Sequence, residues 1–154
     1  MLGKHPTLPA VSAATAAVPR PASSEIYRLH FKSVHSLILI EAVINRLPAR
    51  LIFDTGSTRT ILSTEILGID PAMIGARQKQ QFPYGIESDR SIESRVNFVL
   101  DRLELAGTLV LAADLVEVSQ RLRMRCDGIL GQDVIGVFQS VLIDYRKNLL
   151  QLEK

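Results

Sequence analysis

Short apolar segments separated by turn residues are the feature that most restricts what this chain can fold into. From Ser24 onward, turn residues interrupt the apolar segments at intervals of about ten residues, a spacing typical of β-sandwiches and β-barrels. In the first segment Tyr27, Leu29 and Phe31 alternate with polar side chains, which is the period of a strand with one apolar face. The sequence therefore predicts an all-β domain with one or two short helices.

The turn and cap residues set the expected boundaries of the elements. Ser63 or Thr64 is a suitable N-cap for a short helix that runs through Leu67 and ends at Gly68. A second short helix is expected over residues 132–137, and Gly107 is expected to lie in a turn between two strands. The predicted strands span residues 26–32, 36–44, 49–54, 58–62, 95–105, 108–112, 141–145 and 149–152.

Arg121, Arg123 and Arg125 alternate with apolar residues, which predicts an extended segment with one basic face. A solvated strand edge and a surface for an anionic partner both fit such a face, and the first is commoner. The apolar residue that follows, Cys126, is interpreted as a small buried side chain.

The length and composition indicate one domain. The chain has 154 residues, of which 47% are hydrophobic and 22% are charged. These values are typical of one globular unit. Residues 1–23 are rich in Ala and Pro and have no sustained apolar period, so we predict a disordered leader followed by one domain over residues 24–154. Pro6 and Pro9 interrupt any signal-peptide core, so we expect this leader to stay uncleaved.

Several classes of function are excluded by simple counts. The formal net charge is only +2, whereas nucleic-acid-binding proteins are strongly basic, so no nucleic-acid partner is expected. No apolar run approaches the ~18 residues of a membrane-spanning helix, so no membrane partner is expected. The single cysteine, Cys126, excludes an internal disulfide and a cysteine-rich zinc site, and it leaves the compartment open, with the cytoplasm favoured. His30 and His35 would face opposite sides of a strand, so no metal site is predicted.

The segment Leu51-Ile52-Phe53-Asp54-Thr55-Gly56-Ser57 carries the candidate chemistry. It places a carboxylate at the end of an apolar strand, directly before a turn that contains glycine. A carboxylate in such a position needs hydrogen bonds or a shared proton, and the turn N–H groups and the Ser57 hydroxyl are suitable donors. The alternative is a loop acid that only caps its own turn.

These motifs resemble those of the single-lobed, retropepsin-like aspartic proteases, most of all their bacterial members. The resemblance covers roughly residues 36–152. The motifs that carry it are the segment from Leu51 to Ser57, a flap candidate at Tyr84-Gly85-Ile86, the element Gly128-Ile129-Leu130-Gly131 before a helix, and a closing strand pair around Ile143-Asp144-Tyr145. The resemblance implies an acid-protease barrel that is active as a dimer, without metal or organic cofactor.

The resemblance also implies roles for individual residues. Asp54 would be the catalytic acid, and Thr55, Gly56 and Ser57 would support its loop. Thr55 would brace the two copies of the loop, and Ser57 would hydrogen-bond the outer oxygen of the Asp54 carboxylate. Tyr84, Gly85 and Ile86 would contact substrate as part of a flap. The segment from Gly128 to Gly131 would pack beneath the active-site loops.

The chain contains one copy of the Asp54 motif, whereas the aspartic-protease mechanism needs two carboxylates. Asp127 lacks the hydroxyl residue before its glycine, and Asp133 and Asp144 lie in polar or strand-end settings. We therefore expect an isologous homodimer that hydrolyses polypeptides through an Asp54 pair. The alternative is a binding or assembly module that kept the fold and lost efficient proteolysis.

Overall fold

The computed structural model describes residues 24–73, 80–81, 87–88 and 92–154. Within them the chain forms eleven strands and three short α-helices. The strands are β1 (Ile26–Val34), β2 (Leu37–Ile44), β3 (Leu47–Phe53), β4 (Ile61–Ser63), β5 (Gln80–Gln81), β6 (Glu87–Ser88), β7 (Ile92–Leu100), β8 (Leu103–Ala113), β9 (Gly128–Leu130), β10 (Ser140–Asp144) and β11 (Leu149–Glu153). The helices are α1 (Thr64–Leu67), α2 (Val116–Leu122) and α3 (Gln132–Ile135), and a 3₁₀ turn spans Pro71–Met73.

Strands β2, β3, β9, β4, β8 and β7 form a closed barrel. They are neighbours in that order, and β7 also pairs with β2, through Val43 opposite Val99 and Ile44 opposite Phe98. Two of the contacts are parallel, β3 with β9 and β4 with β8, so the two halves of the chain interlock. The predicted all-β fold class is confirmed.

The main core is formed by side chains of the six barrel strands together with side chains of β1 and β11. As the alternation predicts, Tyr27, Leu29 and Phe31 of β1 are buried in it. A smaller core lies on the other face of β3 and β9, where Ile52 and Ile129 pack against residues of α2. Because both faces of β3 and β9 are covered, the strand that leads to Asp54 has little freedom to move.

The first three strands are joined by two-residue turns. His35 and Ser36 connect β1 to β2, and Asn45 and Arg46 connect β2 to β3; all four have positive φ angles. Such turns match the twist of the strands that they join. The capped helix is also confirmed: the Ser63 hydroxyl accepts a hydrogen bond from the Ile66 N–H, and Gly68 ends α1 with a φ of 65°.

The predicted turn at Gly107 is wrong, because β7 and β8 turn at Asp101 and Arg102 instead. Asp101 adopts a positive φ of 54°, a conformation that aspartate tolerates better than most residues. Gly107 has a φ of 64° inside β8, where its N–H donates to the Asn97 side chain beside a register shift. The glycine therefore lies in a β-bulge. In the sequence, a glycine at a bulge cannot be distinguished from a glycine at a turn.

The prediction of an extended basic segment from Arg121 to Arg125 is also wrong in part, because Arg121 lies in α2. Leu115, Val118 and Leu122 have helical spacing and pack into the smaller core. Cys126, beyond the helix, is buried as expected, and its burial raises the pKa of the thiol to about 11. With α2, the described residues contain three α-helices, whereas the sequence predicted one or two.

The strand pair at the end of the chain is confirmed, and it leaves one edge of the sheet open. β11 lies between β1 and β10, whereas β10 is the last strand in the sheet order. Within the described part of the chain, no strand pairs with the outer side of β10. The residues Leu142 and Tyr145, in and just after β10, are 52% and 64% exposed.

Two expectations lie outside the described residues. They are the leader over residues 1–23 and the flap residues Tyr84, Gly85 and Ile86, so both stay predictions. The short strands β5 and β6, on either side of residues 82–86, pair with each other in antiparallel fashion. No helix in the described ranges has the length and apolar character needed to cross a membrane.

Candidate active site

The position of Asp54 is fixed by the strand before it. Leu51 and Ile52 of β3 are fully buried, and the next strand residue, Phe53, lies opposite Leu130 in the parallel pair with β9. The Asp54 N–H extends this pairing by donating to the Leu130 carbonyl at 3.1 Å. The side chain of Asp54 therefore lies where the buried sheet ends, and it is half-buried.

The carboxylate is held by the turn that follows it. The Gly56 N–H donates to Asp54 Oδ1 at 2.8 Å, and the Ser57 N–H donates to the Asp54 carbonyl at 3.3 Å. A Cβ atom on residue 56 would lie 3.2 Å from Asp54 Oδ1, so the glycine allows this close approach. Thr55 and Gly56 are exposed, which leaves the turn open to a partner or a substrate.

Ser57 does not make the contact that the resemblance implies. Its hydroxyl donates to the Arg59 carbonyl at 2.8 Å, and the side chain is buried. Among the described residues, the Gly56 N–H is the only group that donates to the Asp54 carboxylate. In the single chain, the Ser57 hydroxyl therefore shapes the loop after Asp54 and does not bind the Asp54 carboxylate.

Gln132, the first residue of α3, binds the loop after Asp54 through two hydrogen bonds. Its backbone N–H donates to the Ser57 carbonyl at 2.8 Å, and its side-chain Nε2 donates to the Thr55 carbonyl at 2.8 Å. The loop carbonyls on both sides of Gly56 are thus bound by one residue. Sequence reasoning missed Gln132, although its place directly after the Gly128–Gly131 element was a usable signal.

The Gly128–Gly131 element packs closely against the strand and loop that carry the site. A Cβ atom on residue 131 would lie 2.5 Å from the Arg59 carbonyl oxygen and 2.9 Å from that of Ser57. A Cβ atom on residue 128 would lie 2.6 Å from the Ile61 carbonyl oxygen. Both contacts are with backbone, so only glycine fits at these two positions. Ile129 and Leu130, between them, are fully buried.

Asp127 directly precedes the Gly128–Gly131 element, but both oxygens of its carboxylate bind groups outside the Asp54 loop. It is only 3% exposed; Oδ2 accepts from the Arg50 N–H at 2.9 Å, and Oδ1 accepts from Arg125 Nε at 2.7 Å. The hydrogen bond from Arg125 to this carboxylate raises the pKa of Arg125 above its ordinary value. Asp127 therefore connects the start of β9 to β3 and is not an open acid.

Asp133 and Asp144 are engaged as well. Asp133 in α3 accepts two hydrogen bonds from Thr60, at 2.9 and 2.6 Å. Asp144 caps the turn after β10 by accepting from the N–H groups of Arg146 and Lys147, as expected for a strand-end acid. In the described residues no cluster of three His, Cys, Asp or Glu side chains has the geometry of a metal site.

Comparisons with known proteins identify the fold. No protein-family model and no curated protein sequence matches the chain. Among solved structures, it is similar to a retropepsin-like aspartic protease from Rickettsia conorii, with a TM-score of 0.57 and 18% identity over 85% of this chain and 93% of that one. EIAV protease complexed with the inhibitor HBY-793 gives a TM-score of 0.48 and 16% identity over 69% and 91% of the two chains. The retroviral protease-like domain of Ddi1 from Leishmania major gives 0.46 and 18% over 74% and 86%.

The chain therefore has the single-lobe fold of the retropepsin-like aspartic proteases, as the sequence motifs predict. At 18% identity the similarity establishes the fold. The chemistry depends on the residues of the site itself.

Proposed function

We propose that this protein is an aspartic-type endopeptidase in which Asp54 from each of two copies activates a water molecule. The observation that supports this most directly is the carboxylate of Asp54. It lies at the end of a strand covered on both faces, with Oδ1 held by the Gly56 N–H, and the turn beyond it is exposed. A rigidly held and accessible carboxylate is what general acid–base catalysis needs.

The second carboxylate has to come from another molecule. The mechanism needs two acids that share a proton, one acting as base and the other as acid. Within the described residues, both oxygens of Asp127 and both oxygens of Asp133 accept hydrogen bonds from the chain's own groups. A second copy related by a two-fold axis would supply another Asp54 in an equivalent loop.

In such a pair the shared proton keeps one carboxyl neutral and the other charged. The charged Asp54 takes a proton from the water as its oxygen attacks the carbonyl carbon of the peptide. The neutral Asp54 donates its proton to the carbonyl oxygen, which gives a tetrahedral diol. The first Asp54 then passes the proton taken from water to the amide nitrogen, and the C–N bond breaks as one diol hydroxyl returns its proton to the second Asp54, so that an acid, an amine and the original proton-sharing pair result. The exposed Thr55 residues of the two loops would lie close to the two-fold axis, consistent with the bracing role proposed for Thr55.

The open edge of β10 supports association with a second copy. Its first four residues, Ser140-Val141-Leu142-Ile143, have no charged side chain, although charges are a common means of blocking strand edges from pairing. The last residue, Asp144, is charged, but its carboxylate caps the turn after the strand. Leu142 is 52% exposed on this strand, and Tyr145 beyond it is 64% exposed. Strand pairing across a two-fold axis would cover both the backbone groups and these side chains.

The test is digestion of an unfolded protein mixture at about pH 4 to 7, with cleavage sites determined by mass spectrometry. Asp54→Asn preserves size and removes the titrating acid. Asp101→Asn is the matched control, because Asp101 is exposed in the β7–β8 turn and asparagine tolerates its positive φ. We expect cleavage by the wild type and the control and none by Asp54→Asn.

Equal cleavage by the wild type and Asp54→Asn would contradict the proposal and indicate a different nucleophile or a contaminant. No cleavage by a verified wild-type dimer would favour the alternative, a binding or assembly module with a protease fold.

A further inference from the structure

We propose that Asp133 is a positioning residue for Asp54, acting through Thr60; as a role in catalysis, this rests on the proposed function. Asp133 is in the first turn of α3, and Thr60 is the last residue of the loop that begins at Asp54. Neither residue belongs to the Asp54-Thr55-Gly56-Ser57 motif. Together they fix the far end of the loop whose near end carries the reactive carboxylate.

The contact between the two residues has two points. Asp133 Oδ2 accepts from the Thr60 backbone N–H at 2.9 Å, and Oδ1 accepts from the Thr60 hydroxyl at 2.6 Å. A carboxylate that binds both groups of one residue fixes the backbone and the side chain together. Thr60 is 0% exposed beneath Asp133, so its N–H and its hydroxyl proton depend on this carboxylate for their hydrogen bonds.

The Thr60 hydroxyl extends the contact to the Gly128–Gly131 element. The Gly131 N–H donates to Thr60 Oγ1 at 3.0 Å while that oxygen donates its own proton to Asp133. The direction of each hydrogen bond is determined, because the N–H can only donate and the carboxylate can only accept. The single proton of the hydroxyl is therefore directed at Asp133, which sets the orientation of the hydroxyl.

The loop transmits this restraint back to Asp54 over a short path. The Ser57 hydroxyl binds the carbonyl of Arg59, the residue before Thr60, and the Ser57 N–H binds the carbonyl of Asp54. Displacement of Thr60 would displace Arg59 and loosen Ser57. Because the Gly56 N–H that holds Oδ1 is in the same turn, the orientation of the Asp54 carboxylate depends on this path.

Arg59 contributes less to the same cluster. Its Nε lies 3.4 Å from Asp133 Oδ2, and its second guanidinium nitrogen lies 3.4 Å from Glu93 of β7. The Arg59 side chain is 39% exposed and that of Glu93 is 58% exposed, so solvent and salt screen these pairs. Arg59→Gln is therefore a suitable comparison for the loss of charge near Asp133 without the loss of its hydrogen bonds to Thr60.

Four variants distinguish positioning from general destabilisation. Thr60→Val removes the hydroxyl at nearly constant volume, and Thr60→Ser keeps it. Asp133→Ala removes both acceptors, and Asp133→Asn keeps one acceptor oxygen but places an amide donor in the site. We expect kcat to fall by about 100-fold in Asp133→Ala and about tenfold in Asp133→Asn and Thr60→Val, with KM within about threefold, because loss of orientation affects the reacting group more than substrate binding. Thr60→Ser, which keeps the hydroxyl, should stay within about threefold of the wild-type kcat. Arg59→Gln should lower kcat less than Asp133→Asn does, because it leaves both hydrogen bonds between Asp133 and Thr60 in place.

The second readout is amide hydrogen exchange over residues 54–60, which requires no activity. We expect Asp133→Ala to raise exchange in this loop at least about tenfold while β1 and β11 keep the wild-type rates, since the restraint is local. A wild-type protein without Asp54-dependent cleavage would sink the proposed function and leave exchange to decide whether Asp133 holds the loop. Unchanged loop exchange in Asp133→Ala, or a wild-type kcat in that variant when the enzyme is active, would overturn the positioning role.

Discussion

Gly131 packs directly against the backbone of the loop that carries Asp54. We expect Gly131→Ala to lower the free energy of unfolding by about 1–3 kcal/mol, because its Cβ would meet the backbone of Arg59 at 2.5 Å. Cleavage should fall as well, since the displaced backbone leads to Asp54. Urea denaturation and peptide cleavage at a temperature where the variant is folded would measure the two effects.

The control for Gly131→Ala is Gly68→Ala. Gly68 ends α1 with a φ of 65°, and a Cβ there would have no neighbour within 4 Å. The cost is then conformational, about 1–2 kcal/mol, without displacement of the site. Stability should fall in both variants and cleavage only in Gly131→Ala. Unchanged cleavage in Gly131→Ala would show that the close contact is not needed for the site.

Cys126 gives the fold a specific dependence on alkaline pH. Burial raises the pKa of its thiol to about 11, above the ordinary value of 9.0, so the folded protein keeps a proton that the unfolded chain releases. Stability from this group is therefore complete below about pH 9 and is lost as the pH rises toward 11. We expect the stability difference between wild type and Cys126→Ala to shrink by up to about 2 kcal/mol between pH 8 and 10.5, measured by urea denaturation. An equal difference at both pH values would contradict this assignment.

At the scale of elements, strand alternation and cap chemistry were readable from the sequence because they depend on neighbours along the chain. Ser63 and Gly68 bounded α1 correctly for this reason. The β7–β8 turn was not readable, since the bulge at Gly107 depends on Asn97 across the strand pair. Helix α2 was not predicted, because the alternation of arginines that begins in its last turn has the period of a strand. The spacing of Leu115, Val118 and Leu122 nevertheless indicated a helix.

Strand β10 is the element with an unpaired edge in the described structure, and the proposed dimer gives it a partner. We expect Leu142→Lys to weaken self-association at least about tenfold, because a lysine on an edge strand opposes pairing. Val116→Lys is the matched control, since Val116 is 55% exposed on α2. Sedimentation at several concentrations would measure both. Equal dimerisation of the two variants would show that the copies meet elsewhere.

At the scale of the whole molecule, the spacing of short apolar segments predicted the all-β class, and the motifs at Asp54 and at Gly128–Gly131 together indicated the single-lobe fold. These patterns were readable because each of them is local in sequence. The support for the site was not predictable in the same way. Thr60, Gln132 and Asp133 are ordinary polar residues in the sequence, and their importance comes from the contact between two distant segments. The element Gly128–Gly131 indicated where that contact lies, but not which side chains beside it bind the loop.

The central claim is that two copies of Asp54 make one site, and a mixing experiment tests it most directly. Wild type and Asp54→Asn are unfolded together, refolded at fixed total concentration, and assayed for peptide cleavage across a range of proportions. If each site needs two Asp54 residues, activity follows the square of the wild-type fraction, so an equal mixture retains about a quarter of the activity. Retention of about half, in proportion to the wild-type chains, would mean that each chain acts alone and would contradict the shared site.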